Sequence, residues 1–588
     1  MQYFFQKYSL LIAGVIAALL NFNTLFNDYA LDDIVVFTEN KYVLKGIQGI
    51  PDIFSNDLMK GYSEKKNLLD QPRYRPLAVA VNAVEYQFFG ANPVISHLLN
   101  LLLLLGVVIL LFTLFSKVIF TDDTMAAFIS TLLFAIHPIH TEVVANIKSR
   151  DELLTTIFLL LSLKFFLHVK ERPRKNWLFA MLFFFLALMT RESAVAFLAI
   201  FPLFDYFFLR KSLKASFQSL FRFVPVFAAF MSLRYAVIGN THPVVTDVLN
   251  APYLLASPAE AFATKFYVLL RYLLLLVFPF PLSSDYSFKE IPYIGLANLR
   301  FLISAVVYVV LIYLGIKGIK NRSKLSFAIL FFFVTISLVS NLVIDIGTPL
   351  SERLLFQPSI PFVLVLGMLF SFLIRRSRTG AITLLVIIVG LMSYKTIARN
   401  AEWKNNETLY IADAEHAPNS ARTTLFALEI YRAKAMMVQD TIERNRLFDK
   451  AIKYGWHSLE VYPNFSITLL NVGFVHYYRA EFDSAAYYWK KGYEADPTDT
   501  EAVKCLNVLS DVFYKRANGY LDRGNLHQAL LDYEKSVSLN SGNTEAWYNL
   551  GGIYFNLHDT LKANFAWQRV KELEPDHHFS SDEFNILN

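Results

Sequence analysis

Long apolar stretches recur through most of this chain and constrain its fold more than any other feature. Stretches of about 20 residues, enough to cross roughly 30 Å of hydrocarbon as a helix, repeat from Tyr8 to about Ala398. They stop after Arg399. The 588 residues are 55% hydrophobic, 18% charged and include 54 Phe. A chain this long and this apolar is not one soluble domain, so the sequence predicts a polytopic membrane protein.

Basic residues lie mainly in short loops between the apolar stretches. The formal net charge of +6 is compatible with an anionic partner, but this placement is typical of topology signals, and we expect no nucleic-acid partner. The positive-inside rule puts these clusters in the cytoplasm. They lie at residues 170–175, 210–214, 317–324 and 375–378, with weaker ones at Lys7 and Lys117.

Eleven spans are consistent with that charge pattern. We expect the first apolar segment to be a retained span and not a cleaved signal peptide. The run from about 265 to 282 is expected to be re-entrant or a laterally packed pair of short helices, because Pro279 and Pro281 interrupt it. With the N-terminus in the cytoplasm, an odd number of spans places the C-terminus outside the cytoplasm. The predicted spans are roughly 8–24, 95–115, 125–141, 152–168, 177–190, 194–209, 218–238, 300–317, 327–345, 355–374 and 381–398.

The tail after the last span has the pattern of tetratricopeptide repeats. Small and aromatic residues recur there at the offsets of a template of about 34 residues. The sequence thus predicts a membrane domain over 1–398, a helical linker with a possible degenerate repeat over 399–462, and repeats over 463–588. Such repeats either bind an extended peptide or protein, or only brace the membrane domain. The matching positions are Trp547, Leu550, Gly551, Tyr554, Ala563, Trp567 and Pro575, then Phe513, Tyr520, Ala529 and Tyr533, then Gly473, Ala485, Trp489 and Pro497.

Two adjacent acids, Asp32 and Asp33, follow the first span. One acid can serve as a general base toward a hydroxyl nucleophile while its neighbour holds that nucleophile. Alternatively, the pair begins a helix, where its charge suits the helix dipole. Two asparagines, Asn406 and Asn464, stand in acceptor sequons if the host glycosylates asparagine.

Polar residues between two later spans add to this candidate site. His137, His140 and Glu142 are possible ligands of a divalent metal, but Pro138 separates the histidines and the spacing is not that of a helical zinc motif, so metal is not favoured. The predicted topology brings several arginines to the same side, where guanidinium groups suit a phosphate. Alternatively each arginine pairs with a nearby acid. These are Arg75, Arg150, Arg191 and Arg353.

The ordered set of these motifs resembles the transmembrane, tetratricopeptide-containing protein O-mannosyltransferases of the cadherin-targeting type, in the GT-C superfamily. The resemblance covers nearly the whole chain. It is carried by Asn27-Asp28-Tyr29-Ala30-Leu31-Asp32-Asp33 with Asn40, Tyr74-Arg75-Pro76-Leu77, His97 with Asn100, residues 134–145, Arg150 with Glu152, Arg191-Glu192-Ser193, Asp285-Tyr286-Ser287 and Ser351-Glu352-Arg353.

The resemblance implies an all-α GT-C-type membrane domain followed by an extracytoplasmic tetratricopeptide α-solenoid. It implies an inverting enzyme that moves mannose or another hexose from a polyprenyl-phosphate donor to Ser or Thr of an extracytoplasmic protein. Asp32 and Asp33 are then the catalytic candidates, with Asp32 as base. The donor phosphate or lipid would contact Arg75, Arg150, Arg191, Arg353, His137 and His140. Acceptor or site-shaping candidates are Glu142, Glu152, Glu192, Asp285, Glu352 and Asn40.

Two further functions are compatible with the sequence. One is a GT-C enzyme that glycosylates a lipid or glycan, and the other is a membrane scaffold or transporter whose repeats bind peptides. The expected location is the bacterial inner membrane or the endoplasmic reticulum, with the repeats on the periplasmic or lumenal side. No cofactor is expected beyond the lipid-linked donor substrate. The single cysteine, Cys505, excludes an intrachain disulfide framework.

Overall fold

The computed structural model describes residues 2–62, 73–239 and 247–579, with the side chains of residues 2–7 left aside. Parts of two predicted extracytoplasmic loops, at 63–72 and 240–246, and the end of the predicted repeat region lie outside the described residues. The chain divides into two compact units, Met1–Thr423 and Thr424–Asn588. Each unit is helical, and the described residues contain no strand, which confirms the all-α prediction.

The described part of the first unit contains sixteen α-helices, α1 to α16, joined by short helical turns. They are α1 Gln2–Asn21, α2 Ile50–Ser55, α3 Pro76–Phe89, α4 Pro93–Leu114, α5 Thr124–Ala135, α6 Thr141–Ala145, α7 Arg150–Leu167, α8 Pro173–Thr190, α9 Phe197–Phe207, α10 Leu213–Ile238, α11 Pro258–Val277, α12 Leu299–Lys317, α13 Lys324–Ser337, α14 Ser359–Arg376, α15 Arg378–Glu402 and α16 Asn406–His416.

Phenylalanine rings fill much of the core of this unit. Phe201 of α9 stacks on Phe223 of α10, with ring centroids 4.0 Å apart and planes 3° from parallel. Phe166 of α7 and Phe184 of α8 pack against the same pair, and all four are buried. Such ring pairs add to the gain from burying apolar area, which is why these four helices form one layer.

Among the described residues, six helices are long and apolar enough to cross a membrane, judged by length and composition, so the chain has the make-up of a multi-pass membrane protein. A bent pair, Thr124–Ala135 with Pro138–Ala145, turns by 49° and would make a seventh. The predicted count of eleven is not confirmed. One reason is length: α9 has 11 residues and α13 has 14, and at about 1.5 Å per residue both are shorter than the hydrocarbon layer. The six are Tyr8–Phe26, Pro93–Ile119, Leu213–Ile238, Leu299–Lys317, Ser359–Arg376 and Arg378–Glu402.

Of the two expectations for 265–282, a re-entrant segment or a pair of short helices, the pair of short helices is wrong. Residues 265–277 lie in one continuous helix, α11, of 20 residues, which ends at Val277 before the two prolines. A capping box at its start explains the difference: Ser257 accepts the backbone N–H of Glu260, and the Glu260 side chain accepts the backbone N–H of Ser257. Pro279 and Pro281 therefore follow the helix and do not interrupt it.

The second unit is built from helix pairs. Its helices are α17 Ala421–Met437, α18 Thr441–Val461, α19 Ser466–Tyr478, α20 Phe482–Ala495, α21 Thr500–Leu521, α22 Leu526–Leu539, α23 Thr544–Asn556 and α24 Thr560–Leu573. The unit boundary falls within α17.

The small residues of the repeat pattern lie at the helix crossings. Gly473 faces the indole of Trp489 and Gly551 faces that of Trp567, so closely that a Cβ at either glycine would overlap the ring. Each indole N–H donates to a backbone oxygen of the partner helix, Leu470 at 3.0 Å and Tyr548 at 3.2 Å. The same crossing therefore occurs in two pairs, as the tetratricopeptide pattern predicts.

Candidate active site

The paired acids after α1 have different surroundings. The Asp32 carboxylate forms an ion pair with the ammonium group of Lys148, and its side chain is 37% exposed. Asp33 is fully buried, and its two oxygens accept the backbone N–H groups of Ala30, at 3.1 Å, and Lys148, at 2.9 Å. Asp32 is thus open to a reactant, whereas Asp33 fastens the loop to the segment before α7.

Asp33 does stand at the start of a short helical turn, Ile34–Thr38, as the alternative interpretation of the acid pair supposes. Its side chain accepts no hydrogen bond from that turn. The carboxylate bonds instead to the residues named above, so helix capping does not account for the acid pair.

Electrostatics also separates the two acids. Burial alone would raise the pKa of Asp32, but the charges of Lys148, Arg353 and Arg73 outweigh it and hold that pKa well below its usual range. Burial raises the pKa of Asp33 to about 7, although two backbone N–H groups donate to this carboxylate. Asp32 is therefore the acid of the pair that stays fully charged at neutral pH, whereas Asp33 is only partly ionised there.

Arg353 is held in place by Glu142. One oxygen of Glu142 accepts the backbone N–H of Arg353 at 2.9 Å, and the other accepts the guanidinium Nη1 at 2.8 Å. Glu142 is buried, while the Arg353 side chain remains 20% exposed. Fixing both the backbone and the side chain leaves Arg353 few positions to adopt, and its charge acts on Asp32 from that position.

Arg73 belongs to this cluster and is missing from the residues predicted from the sequence. Tyr74 is buried and donates its hydroxyl to the Phe54 carbonyl at 2.9 Å, while Arg73 and Arg75, on either side of it, line one cleft. Burial, with the nearby charges of Arg75 and Arg353, lowers the pKa of Arg73 to about 10. In the described part of the chain no carboxylate forms an ion pair with Arg73. The alternation Arg73-Tyr74-Arg75 is the signal that would have found it.

Arg73, Arg75 and Lys148 line a cleft with about 360 Å³ of atom-free space, open solvent included. Asp151 contributes an acidic group to the same lining. The cleft is small, but it gathers cations beside the exposed Asp32. Such a site suits the anionic end of a ligand more than an apolar molecule.

Arg75 and Arg191 are largely neutralised by acids. Arg75 makes a bidentate pair with Glu192, with both contacts at 2.9 Å, and a further contact to Asp151 at 2.7 Å. Arg191 contacts Asp151 and Glu152, both at 3.0 Å. Four sequence-predicted residues thus lie in one network with Asp151, in which each guanidinium already has carboxylate partners.

Arg150 also lines this cleft, but its guanidinium group is engaged by other residues. It is fully buried and forms an ion pair with Glu85, while Asn82 and Asn100 accept further N–H groups at 2.8 and 2.7 Å. The Ser96 carbonyl accepts a further guanidinium N–H of Arg150 at 3.0 Å. The geometry therefore gives Arg150 a structural role in joining α3, α4 and α7.

The two histidines make their described hydrogen bonds to groups other than the acid pair. Both ring nitrogens of His137 are occupied, one by the Leu276 carbonyl at 2.9 Å and one by the backbone N–H of Ile139 at 3.2 Å. The Nε2 of His140 contacts the Ser359 hydroxyl at 2.9 Å. Among the described residues no group of three or more His, Cys, Asp or Glu side chains is arranged to hold a metal ion.

The remaining candidates occupy separate positions. Asp285 accepts hydroxyl groups of Ser287 and Ser420 and pairs with Arg422 at 3.0 Å. Glu352 accepts the Tyr286 hydroxyl at 2.8 Å and is fully buried. Asn40 closes a turn by accepting the backbone N–H of Tyr42 and Val43. None of the contacts described for these three residues is to Asp32.

Comparison with known proteins gives a consistent result. The chain is 25% identical over 648 residues to the human "Protein O-mannosyl-transferase TMTC3", covering 96% of this chain and 68% of that protein. The chain is similar to the TMTC protein O-mannosyl-transferases over most of its length. This similarity confirms the resemblance seen in the sequence motifs.

Two further relatives support the same grouping. "Protein O-mannosyl-transferase F38B6.6" of Caenorhabditis elegans is 27% identical over 440 residues, which is 74% of this chain and 60% of that protein. Human TMTC4 is 24% identical over 465 residues, 70% of this chain and 62% of that protein. The chain thus spans about two thirds or less of the length of these TMTC relatives. No family model matches the chain.

One solved structure, the APC/C hetero-tetramer Cut9-Hcn1, is also similar by shape. It is 13% identical, covers 87% of this chain and 93% of its own, and has a TM-score of 0.17. A score this low carries no argument about the fold or function of this chain.

Proposed function

We propose that this protein transfers a mannosyl group, or another hexose, from a polyprenyl-phosphate donor to a Ser or Thr hydroxyl of an extracytoplasmic protein. The observation that carries the proposal is the partly exposed, charged carboxylate of Asp32 beside Lys148, Arg353 and Arg73. A base next to a cluster of cations is what hydroxyl attack on a phosphate-linked sugar requires. The names of the TMTC relatives support the sugar and the protein acceptor.

In this proposal the cations hold the donor phosphate. Arg73, Lys148 and Arg353 each offer N–H donors to its oxygens, while Arg75 and Arg191 stay paired with acids and shape the cleft. As the phosphate takes the ammonium group of Lys148, Asp32 loses the partner that holds its pKa low. Donor binding therefore makes Asp32 a stronger base at the moment it is needed.

The transfer step balances without a further reactant. The acceptor hydroxyl attacks the anomeric carbon from the side opposite the phosphate, and its proton passes to Asp32. The bond from the anomeric carbon to the phosphate oxygen breaks, and the electron pair leaves with the polyprenyl phosphate. The cations stabilise the charge of that leaving group, and the anomeric configuration inverts.

We assign the helix pairs of the second unit to the acceptor. Stacked helix pairs expose an extended surface that suits an unfolded segment of a protein carrying Ser and Thr. The expected compartment is the one in which Asp32 faces the acceptor, the periplasm or the lumen of the endoplasmic reticulum.

Substitution of the acid pair tests the proposal. Asp32→Asn removes the base but keeps its shape, so transfer to a Ser- and Thr-containing peptide from polyprenyl-phosphate mannose in membranes should fall at least a thousandfold. Asp33→Asn should also lower transfer, through loosening of the loop, and the double variant should be inactive.

Asp52→Asn is the matched control, because Asp52 lies in the same loop and pairs on the surface with Lys45. It should leave transfer unchanged, and all variants should be recovered as folded protein. Undiminished transfer by the double variant would remove Asp32 and Asp33 from the mechanism.

A further inference from the structure

Leu31, the residue before the proposed base, has a backbone conformation that a leucine rarely adopts. Its φ is +56°, in the left-handed region, where side chains other than glycine meet the following carbonyl. A non-glycine residue stays there only when its surroundings hold it. The contacts of this residue therefore contribute to the direction in which Asp32 points, together with the Lys148 ion pair and the bonds of Asp33.

The side chain of Asn406 makes the contact that holds Leu31. Its Oδ1 accepts the backbone N–H of Leu31 at 2.7 Å, across 375 positions of the sequence. Asn406 is the first residue of α16, directly after α15, the last candidate span. Leu31, in the loop after the first span, is thus held by the segment that follows the last candidate span.

Asn406 is itself rigidly placed. A capping box begins α16: Asn405 Oδ1 accepts the backbone N–H of Thr408 at 3.0 Å, and the Thr408 hydroxyl contacts the Asn405 backbone. The Thr408 hydroxyl also donates to the Glu402 carbonyl at 2.9 Å. The amide of Asn406 is therefore presented from a helix start that cannot easily move.

The same two segments are tied together on both sides of this contact. The backbone N–H of Asp28 donates to the Lys404 carbonyl at 2.7 Å. The fully buried side chains of Trp403 and Leu409 pack with Ala30. The Leu31 side chain packs against the same cluster, so an apolar contact and the Asn406 hydrogen bond both act on the strained residue.

We infer that Asn406 is a positioning residue for the proposed reaction: it holds Leu31 in the left-handed conformation and thereby aims Asp32 at the acceptor. The inference rests on the proposed function. It gives a second use to an asparagine that the sequence marks as a possible glycan acceptor.

Two measurements on the full-length protein in detergent test it. Hydrogen exchange of a peptide covering residues 27–33 reports the hydrogen bond directly and needs no activity. The Leu31 amide should exchange at least about tenfold faster in Asn406→Ala than in the wild type, as expected for the loss of one such bond. Asn406→Asp, which keeps an acceptor oxygen in the same place, should retain the protection.

Kinetics report the consequence for Asp32. Asn406→Ala should lower kcat about tenfold while the KM for the lipid-linked donor stays within about twofold, because the cation cluster is left intact. Leu31→Gly in the same chain should restore part of kcat, because glycine adopts this φ without strain. Asn464→Ala, at the exposed asparagine of the other sequon, should change neither measurement.

The outcomes distinguish the positioning role of Asn406 from the proposed function. If Asp32→Asn abolishes transfer but Asn406→Ala keeps full kcat, or if Leu31→Gly restores nothing, the inference about Asn406 is overturned and the proposed function stands. If the wild type transfers no hexose to the peptide, the proposed function fails. If Asp32→Asn leaves transfer intact, the assignment of Asp32 as base fails, and the positioning role of Asn406 fails with it. Unchanged exchange at Leu31 in Asn406→Ala overturns the inference whatever the activity.

Discussion

Lys148 contacts both acids of the first loop, Asp32 through its ammonium group and Asp33 through its backbone N–H. A single residue, Lys148, in the segment before α7 therefore holds the buried Asp33 in place and pairs with the partly exposed Asp32. Burial, together with Arg353 and Arg73, lowers the pKa of Lys148 to about 8, although Asp32 favours the charged form. The charge of Lys148 is thus present below about pH 8 and lost above it.

This pKa predicts an alkaline limit to donor capture. As the pH rises through about 8, Lys148 loses its proton and one contact to the donor phosphate, so kcat/KM for the donor should fall. The arginine in Lys148→Arg keeps its charge over this pH range, so the decline of kcat/KM for the donor should begin at least about one pH unit higher. A pH profile measured from about pH 6 to about pH 10 checks this. Lys45→Arg, at a surface pair, is the control, and an unmoved limit in Lys148→Arg would contradict the assignment.

Arg73 should contribute to donor binding although the sequence did not single it out. Loss of a hydrogen bond between charged groups costs about 1.5–3 kcal/mol, so Arg73→Ala should raise the donor KM about tenfold to a hundredfold. Steady-state kinetics with varied donor measure this. Arg174→Ala, in an exposed basic cluster, should leave the KM unchanged. An unaltered KM in Arg73→Ala would show that the phosphate does not reach this guanidinium.

The buried pair of Arg150 and Glu85 should matter for stability more than for donor binding. Arg150→Met leaves the Glu85 charge without its partner inside the protein, which typically costs about 3–5 kcal/mol. Thermal unfolding in detergent should show the loss. Lys45→Met breaks a pair whose members are 53% and 41% exposed, and should cost less than about 1 kcal/mol. A stable Arg150→Met with a raised donor KM would place Arg150 on the donor instead.

Neighbouring glycines in α23 offer a test of the repeat packing. A Cβ at Gly551 would overlap the Trp567 indole, so Gly551→Val should destabilise the second unit by about 1–3 kcal/mol. Nothing lies within 4 Å of a Cβ at Gly552, so Gly552→Ala should be neutral or stabilising by up to about 1 kcal/mol. Limited proteolysis of the full chain measures both. Equal sensitivity of the two variants would contradict the described crossing.

The side of the membrane on which the repeats lie can be tested with one introduced thiol. Cys505 is buried, and burial raises its thiol pKa to about 12, so it should resist labelling while the protein is folded. Leu561 is 85% exposed, and Leu561→Cys should react with an impermeant maleimide added to the non-cytosolic side. Labelling only after the membrane is permeabilised would place the repeats in the cytosol and contradict the proposed acceptor site.

Local patterns in the sequence were enough to predict the helical class and the repeat crossings. Apolar stretches of span length can be recognised from residues that are close together in the chain. The same holds for small residues at fixed offsets, such as Gly473 and Gly551. The span count was harder to predict because helix length depends on where turns and caps fall. In α11 a capping box set the start and the prolines lay past the end, which hydropathy alone does not reveal.

The roles of the charged residues were decided only by the tertiary structure. The predicted topology placed arginines and acids on one side of the membrane. Which arginine pairs with which acid depends on residues far apart in the sequence, such as Arg75 with Glu192 and Arg150 with Glu85. Asp32 and Asp33 are adjacent in the chain, yet one is exposed and the other buried. Charge and burial of a side chain are set by groups that folding brings near it, and no local pattern records them.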